Sequence, residues 1–269
     1  MKDTIFELKD ASFSYLGRFP ALRNISIEIK QGEKIAIIGA NGSGKSTLLQ
    51  ILDGLVFPDT GSIRFRGAEL TEKVLNDADF SHNFRKQVGL VFQNPDVQLF
   101  CPTVREDILF GPLQLGVEPD VIEKRLEELV RILNIRALLE RSPHQLSIGE
   151  RRKVAIASTL IINPDILILD EPTAGIDPLT ASHIVDLLID ANEAGKTIIT
   201  STHDLGIVAE ISDRVYVFSQ AKSIVKSGVP HEILEDTGLL EEHNLVHIHV
   251  HKHEGEEHTH PHQHFGHQH

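Results

Sequence analysis

The chain has 269 residues, a formal net charge of −13, 41% hydrophobic residues and 24% charged residues, a composition typical of a folded, water-exposed protein. The negative charge argues against a broad surface for nucleic acid or anionic lipid, because such surfaces need clustered lysine and arginine. The single cysteine, Cys101, excludes an intramolecular disulfide. The single cysteine and the absence of an apolar leader favour a location in the reducing cytosol. No run of about 18 apolar residues is present that could span a membrane as a helix.

Short extended segments come first in the chain. Thr4 to Lys9 and Asn24 to Lys30 alternate apolar and polar residues around a turn-like stretch from Tyr15 to Pro20, which predicts an antiparallel pair. A short apolar strand, Lys34 to Ile38, then leads into a glycine-rich loop, and helical character follows at Leu48 to Leu52.

Later apolar runs, separated by helical stretches, predict a parallel sheet covered by helices. These runs are Val88 to Phe92, Ile166 to Leu169 and Thr197 to Ser201, with a hairpin from Asp213 to Gly228. Between the first two, Val121 to Leu139 has the apolar periodicity of a helix, and a second helix is predicted from Ser147 to Ile161. We therefore predict an α/β fold with a mixed or parallel sheet, an N-terminal antiparallel β subdomain and a helical subdomain inserted at residues 96–162.

The glycine-rich loop has the pattern G-x-x-x-x-G-K-[ST] between a strand and a helix, which predicts a phosphate-binding loop for ATP. Its backbone N–H groups would surround the phosphates, with Lys45 at the β- and γ-phosphates and the Ser46 hydroxyl on Mg²⁺. The predicted nucleotide-binding residues here are Gly39, Asn41, Gly42, Ser43, Gly44, Lys45, Ser46 and Thr47.

Polar side chains follow the other predicted strands. Asp170 and Glu171 end the Ile166 strand; Asp170 suits Mg²⁺, and Glu171 suits a general base that activates water. Gln93 and His203 follow two neighbouring strands, and ligands of open parallel sheets bind at these carboxyl ends. Lys45, Gln93, Glu171 and His203 are the predicted catalytic residues, with Ser46, Gln93 and Asp170 around Mg²⁺.

Ser147 and Glu150 form an S-x-x-E capping box, which is a sufficient structural explanation for both residues. A helix N-terminus with a serine hydroxyl and Gly149 is also an anion site. Because this chain already holds phosphates in its own loop, Ser147 and Gly149 would serve the ATP of another subunit.

The order of these motifs resembles the ATPase subunit of an ABC transporter, a P-loop NTPase, over about Thr4 to Pro230. The resemblance implies a head-to-tail dimer, most simply a homodimer, in which Leu146 to Glu150 of one copy closes over ATP in the other. The sequence departs from the family signature at Ile148 and Glu150. By resemblance Tyr15 stacks on adenine, Asp177 links the two sites, and His203 touches the γ-phosphate.

The stretch Val91 to Phe100 and the following Pro102 to Asp107 resemble the energy-coupling-factor importers for vitamins and for nickel or cobalt. This implies a peripheral position on the cytoplasmic face of the cell membrane. The implied partners are an integral membrane coupling subunit and a substrate-binding membrane subunit, with no nucleic acid. Candidates for the groove that holds the membrane subunit are Val97, Leu99, Phe100 and Phe110.

Histidine dominates the C-terminal segment, which holds eleven of the sixteen histidines from His243 to His269. We predict an ATPase domain over residues 1–238 and a flexible tail over residues 239–269. Imidazoles suit Ni²⁺, Co²⁺ and Zn²⁺, and the alternating candidates are His247, His249, His251 and His253. A purification tag and a solvated spacer are the alternatives.

Together these features predict an ATPase that powers a nickel or cobalt importer, with a vitamin importer as the alternative. A P-loop kinase would leave Leu146 to Glu150 unexplained. A soluble ABC-type ATPase would carry tandem modules, a coiled coil or a basic face. A metal buffer on an ATP-binding fold is the non-enzymatic alternative.

Overall fold

The computed structural model describes residues 3–253 and 256–262, and the side chains of residues 3–246. The strands are β1 Thr4–Tyr15, β2 Phe19–Lys30, β3 Lys34–Gly39, β4 Thr60–Phe65, β5 Ala68–Glu69, β6 Val88–Val91, β7 Ile166–Asp170, β8 Thr197–Thr202, β9 Arg214–Phe218, β10 Ile224–Gly228, β11 His247–His253 and β12 Glu256–His262. The helices are α1 Lys45–Leu52, α2 Glu72–Leu75, α3 Ala78–Gln87, α4 Val104–Gln114, α5 Pro119–Leu133, α6 Ile148–Leu160, α7 Pro178–Glu193, α8 Leu205–Ile211, α9 Pro230–Leu234 and α10 Thr237–Glu242. Within these described ranges, no helix combines the length and the apolar composition needed to cross a membrane.

The N-terminal strands form an antiparallel sheet in the order β2-β1-β4-β5. The predicted antiparallel pair is confirmed, but β1 and β2 both run further than predicted and meet at the pair Tyr15 and Phe19. A register shift between Leu8 and Ala11, together with the left-handed backbone of Asp10 (φ 49°), interrupts the alternation of apolar residues. Bulges of this kind hide a continuous strand from a search for period two.

The central sheet has the order β10-β9-β3-β8-β7-β6. Strands β9, β3, β8, β7 and β6 are parallel, and β10 pairs antiparallel with β9 at the edge. The mixed sheet and the closing hairpin are therefore confirmed. Successive residues of β7 point into different hydrophobic clusters, with Ile168 on one face and Leu169 on the other, as expected for a strand buried on both sides.

Helices fill the described chain between β6 and β7. The apolar stripe of α5 is buried as the periodicity predicts, but the helix ends at Leu133 rather than continuing to Leu139. The helix stops at Asn134, which adopts a left-handed conformation with φ 52°. Helix α6 begins directly after Ser147, as predicted from the capping box.

The packed core continues beyond Gly238, where the predicted ATPase domain ends. Leu240, Leu245 and Val246 are buried in a cluster with Ala36 and Ile38 of β3. Burial therefore extends to the residue that precedes β11. Strands β11 and β12 then pair antiparallel as a separate two-stranded sheet.

Candidate active site

A cavity of about 400 Å³ lies at the carboxyl ends of β3 and β7, the two strands that flank β8, and its volume is within the size range of small-molecule sites. The predicted loop residues from Asn41 to Thr47 line it, and so do Tyr15, Gln93 and Glu171. Phe19, Pro20, Ala21 and Lys222 complete the lining and were not predicted from the sequence. The structure thus brings residues from five separate parts of the chain to one cavity.

The backbone of the loop depends on glycine at Gly44, the N-cap of α1. Its φ is 111°, and a Cβ there would lie 2.4 Å from the carbonyl oxygen of Ala21. No other residue fits without moving the neighbouring strand. Nearby, the buried hydroxyl of Ser43 has no hydrogen-bond partner among the described residues, as expected of a group that meets a ligand.

Lys45 is buried and held by its own loop. Its Nζ donates a hydrogen bond to the carbonyl oxygen of Gly39 at 2.8 Å and lies 3.4 Å from Oε1 of Glu171. The carboxylate therefore sits within reach of the lysine at the centre of the phosphate-binding loop. An incoming phosphate would compete with Glu171 for the same ammonium group.

Glu171 lies at the turn that follows β7, with a left-handed φ of 51°. Its Oε2 is 2.6 Å from Nδ1 of His203. Burial on its own would raise the pKa of Glu171, but the hydrogen bond from His203 and the charge of Lys45 together lower it below the ordinary value of 4.5. The carboxylate is therefore ionised at neutral pH and able to accept a proton.

His203 is half-exposed beside this carboxylate. Its hydrogen bond to Glu171 raises its pKa above the ordinary 6.5, against the opposing effect of burial. With Nδ1 at the carboxylate, Nε2 is left to meet a ligand. The structure thus brings Lys45, Glu171 and His203 into contact, as the positions of these residues after their strands and loop predicted.

Ser201 organises this centre but was missed in the sequence. Its hydroxyl donates to Oδ1 of Asp170 at 2.5 Å and accepts from the backbone N–H of Glu171 at 3.0 Å. The feature of the sequence that could have identified it is a serine within an apolar strand, because a buried hydroxyl needs hydrogen-bond partners. Ser201 is indeed fully buried in β8. One side chain thus holds the carboxylate of Asp170 and the backbone of Glu171.

The residues predicted around Mg²⁺ offer a hydroxyl, a carboxylate and an amide oxygen. Ser46 and Gln93 line the cavity, and Asp170 is buried at the end of the neighbouring strand with one oxygen bound by Ser201. Hard oxygen ligands of this kind fit Mg²⁺.

Gln93 is exposed at the start of a loop that two partly buried hydrogen bonds connect to α6. Gln98 donates from Nε2 to the carbonyl oxygen of Ala155 at 2.8 Å, and Arg152 donates to the carbonyl oxygen of Phe92 at 3.1 Å. Neither Gln98 nor Arg152 was predicted. These two hydrogen bonds join the loop that carries Gln93 to α6.

Ser147 and Gly149 lie at the N-terminus of α6, away from the lining of the cavity. The capping box is complete: Glu150 Oε2 accepts from Ser147 N–H at 2.8 Å, and Ser147 Oγ accepts from Glu150 N–H at 3.2 Å. Asp177 similarly caps α7 by accepting from the N–H of Thr180 at 2.9 Å. One chain alone does not bring Ser147 to its own phosphate-binding loop.

Tyr15 lines the cavity and is 40% exposed. Its hydroxyl lies 3.2 Å from Oγ1 of Thr47 and donates to Oε1 of Gln50 at 3.0 Å. These contacts tie the end of β1 to α1 beside the phosphate-binding loop.

The residues predicted for a membrane-subunit groove divide into two groups. Val97, Phe100 and Phe110 are 64%, 66% and 43% exposed, and the two phenylalanine rings meet edge to face with their centroids 5.0 Å apart. Leu113 is also exposed. The prediction that Leu99 lines this groove is wrong. Leu99 is 4% exposed and packs in the core of the helical region, because the turn at Pro95–Val97 directs it inward.

Comparison with known proteins agrees with this geometry. Residues 22–174 match the family model described as ABC transporter. The energy-coupling factor transporter ATP-binding protein EcfA of Methanothermobacter thermautotrophicus is 42% identical over 90% of this chain and 76% of its own. The nickel import ATP-binding protein NikO of Rhodobacter capsulatus is 44% identical over 90% and 95%.

A solved structure has the same fold. It is cbiO1 from Clostridium perfringens, part of the ABC transporter complex cbiONQ, with a TM-score of 0.74 and 36% identity over 91% of this chain and 96% of its own. The chain therefore belongs to the ABC transporter family as an ATP-binding subunit, and it is an ATPase.

Proposed function

We propose that this chain is the ATPase of an energy-coupling-factor importer for nickel or cobalt. The observation that carries the hydrolytic part is the contact of Glu171 with both Lys45 and His203 at the cavity. The cargo is supported by the nickel importer NikO, of which this chain covers nearly the whole length, and by the histidine-rich C-terminal segment.

In the proposed reaction Glu171 accepts a proton from water. The water oxygen forms a bond to the γ-phosphorus as the bond from that phosphorus to the bridging oxygen breaks, which gives ADP and phosphate. Lys45 balances charge on the phosphates, His203 contacts the γ-phosphate, and Gln93 orients the water. Ser46, Gln93 and Asp170 would hold Mg²⁺, which when bound would further neutralise the phosphate charge. Tyr15 stacks on the adenine ring.

A second copy of the chain completes each site. Ser147 is exposed and Gly149 is partly exposed at the start of α6, outside the lining of the chain's own cavity, so we assign both to the phosphates of ATP bound in the facing copy. Two identical chains related head to tail would then hold two equivalent ATP molecules. Asp177 lies between the two sites in this arrangement.

The exposed apolar patch formed by Val97, Phe100, Phe110 and Leu113 is the proposed contact with the membrane coupling subunit. It belongs to the loop and helix that follow Gln93, and Gln98 fastens that loop to α6. Closure of two copies over ATP would therefore move the patch. A substrate-binding membrane subunit completes the importer, which places this chain on the cytoplasmic face.

The hydrolytic part is tested by phosphate release from the purified full chain with ATP and Mg²⁺. The Lys45→Ala variant should lose about 100-fold or more in rate, since it removes a preorganised charge at the phosphates. A control is Lys34→Ala, which removes a partly buried lysine that pairs with Asp213 outside the cavity lining. Equal hydrolysis by Lys45→Ala and the parent chain would contradict this site.

The cargo is tested separately by uptake of radiolabelled Ni²⁺, Co²⁺ or a vitamin in cells that express the chain with its membrane partners. Uptake of a metal that Lys45→Ala abolishes supports the proposal. Uptake of a vitamin alone would contradict the proposed metal cargo but would not contradict the ATPase assignment. Loss of metal-dependent function on removal of the histidine segment, with Lys45→Ala still functional, would favour a metal buffer.

A further inference from the structure

The histidine-rich strands β11 and β12 pair in a definite register. His247 is opposite His262, His249 is opposite His260, and His251 is opposite His258. Every one of these cross-strand pairs therefore consists of two histidine positions. The alternation of histidines in the sequence predicted only the positions in β11 and not their partners in β12.

Residues that are directly opposite in an antiparallel pair share a face, and so do residues two apart along a strand. The seven histidine positions of the hairpin consequently fall on one face. The other face takes the positions of Ile248, Val250, Lys252, Glu257, Thr259 and Pro261. A shift of the register by one residue would put the histidine positions of β12 on the opposite face from those of β11.

The spacing of these positions suits a metal ion. Opposed residues lie about 5 Å apart and residues two apart along a strand about 6.7 Å apart, so positions 249, 251, 258 and 260 form a compact group of four. Late first-row divalent ions take imidazole nitrogen, commonly in four-coordinate sites. We propose that His249, His251, His258 and His260 together bind one such ion tightly, with the flanking pair His247 and His262 as a weaker second site.

This site would be attached directly to the packed domain. Leu245 and Val246, which immediately precede β11, are buried in the core beside β3. Among the residues whose side chains the structure describes, no three histidine, cysteine or acidic side chains group as a metal site. The inference concerns ion binding by this chain and holds whichever cargo the importer carries.

Calorimetric titration of the metal-free full chain with Zn²⁺ and with Ni²⁺ tests the proposal. The discriminating variant exchanges neighbours within β11: Ile248→His, His249→Ile, Val250→His and His251→Val. It keeps the composition and the number of histidines but moves two of them to the opposite face. The tight site should weaken at least about tenfold, because two of its four ligands are lost.

A second variant, His258→Gln with His260→Gln, changes only β12. A cross-strand site weakens at least about tenfold here as well, whereas a site made by β11 alone keeps its affinity. His264→Gln with His267→Gln, outside the described residues, is the matched control and should bind like the parent chain. Unchanged ATP hydrolysis in every variant shows that the domain is folded.

Two results would overturn the inference. One is equal affinity of the exchanged variant and the parent chain, which would mean that histidine content alone binds the ion. The other is retention of the tight site when β12 loses His258 and His260.

Discussion

At the residue scale, the carboxylate of Glu171 is the centre of the account. Lys45 and His203 approach different oxygens of it, at 3.4 Å and 2.6 Å. Both neighbours lower the pKa of this carboxylate and keep it ionised. In the proposed reaction the phosphates of ATP compete for Lys45, and the same carboxylate then accepts the proton from water.

This pairing predicts a specific dependence of stability on pH. Because contact with Glu171 raises the pKa of His203, its stabilisation is complete below the ordinary 6.5 and disappears as pH rises through the raised value. Because the pKa of Glu171 is lowered from 4.5, its stabilisation is present above that value and disappears as pH falls through the lowered one.

The measurement is urea unfolding of the nucleotide-free chain at a series of pH values. His203→Gln should remove the loss of stability that the parent chain shows above pH 6.5. His82→Gln, a change of an exposed histidine away from the cavity, serves as the control. Identical pH profiles for His203→Gln and the parent chain would show that the pair contributes nothing.

At the element scale, α6 combines a structural cap with a proposed ligand contact, and the two roles are separable. Ser147→Ala should cost about 1 kcal/mol of stability, as loss of an N-cap does, and should also abolish most ATP hydrolysis. Thr103→Ala is a matched control, because Thr103 and Glu106 form the same capping box at the start of α4. It should lose similar stability but keep its hydrolysis.

Glu150→Gln completes the comparison. Glutamine also fills the third position of a capping box, so this variant should keep both stability and hydrolysis. Phosphate release and urea unfolding measure the two properties on the same samples. If Ser147→Ala and Thr103→Ala hydrolyse ATP equally well, Ser147 is only a cap.

The elements that the sequence predicted best are those whose signal is local. The loop from Gly39 to Thr47 and the start of α6 at Ser147 depend on glycine positions and on a capping pattern, and both are where they were expected. The full length of β1 was hidden by the bulge at Asp10. The roles of Gln98, Arg152 and Ser201 depend on contacts between segments that are distant along the chain. A single sequence, read by itself, does not show such contacts.

At the scale of the whole molecule, the face that carries Phe100 and Phe110 is the proposed connection to the membrane. Phe100→Ser with Phe110→Ser should leave ATP hydrolysis by the isolated chain within about twofold, because exposed changes away from special features alter stability little. Co-purification with the membrane subunit should be lost.

Ile132→Ser, at another exposed apolar residue of the helical region, is the control and should co-purify normally. Retention of the membrane subunit by the double phenylalanine variant would move the contact elsewhere on the chain.

The most direct test of the account is the mass of the Glu171→Gln chain in sedimentation with and without saturating ATP and Mg²⁺. We expect monomers without nucleotide and dimers with it, because ATP is bound but not hydrolysed. Adding Ser147→Arg to the same chain should keep ATP binding but prevent the dimer. Monomers of Glu171→Gln at saturating ATP, or dimers that persist with Ser147→Arg, would contradict ATP held between two copies.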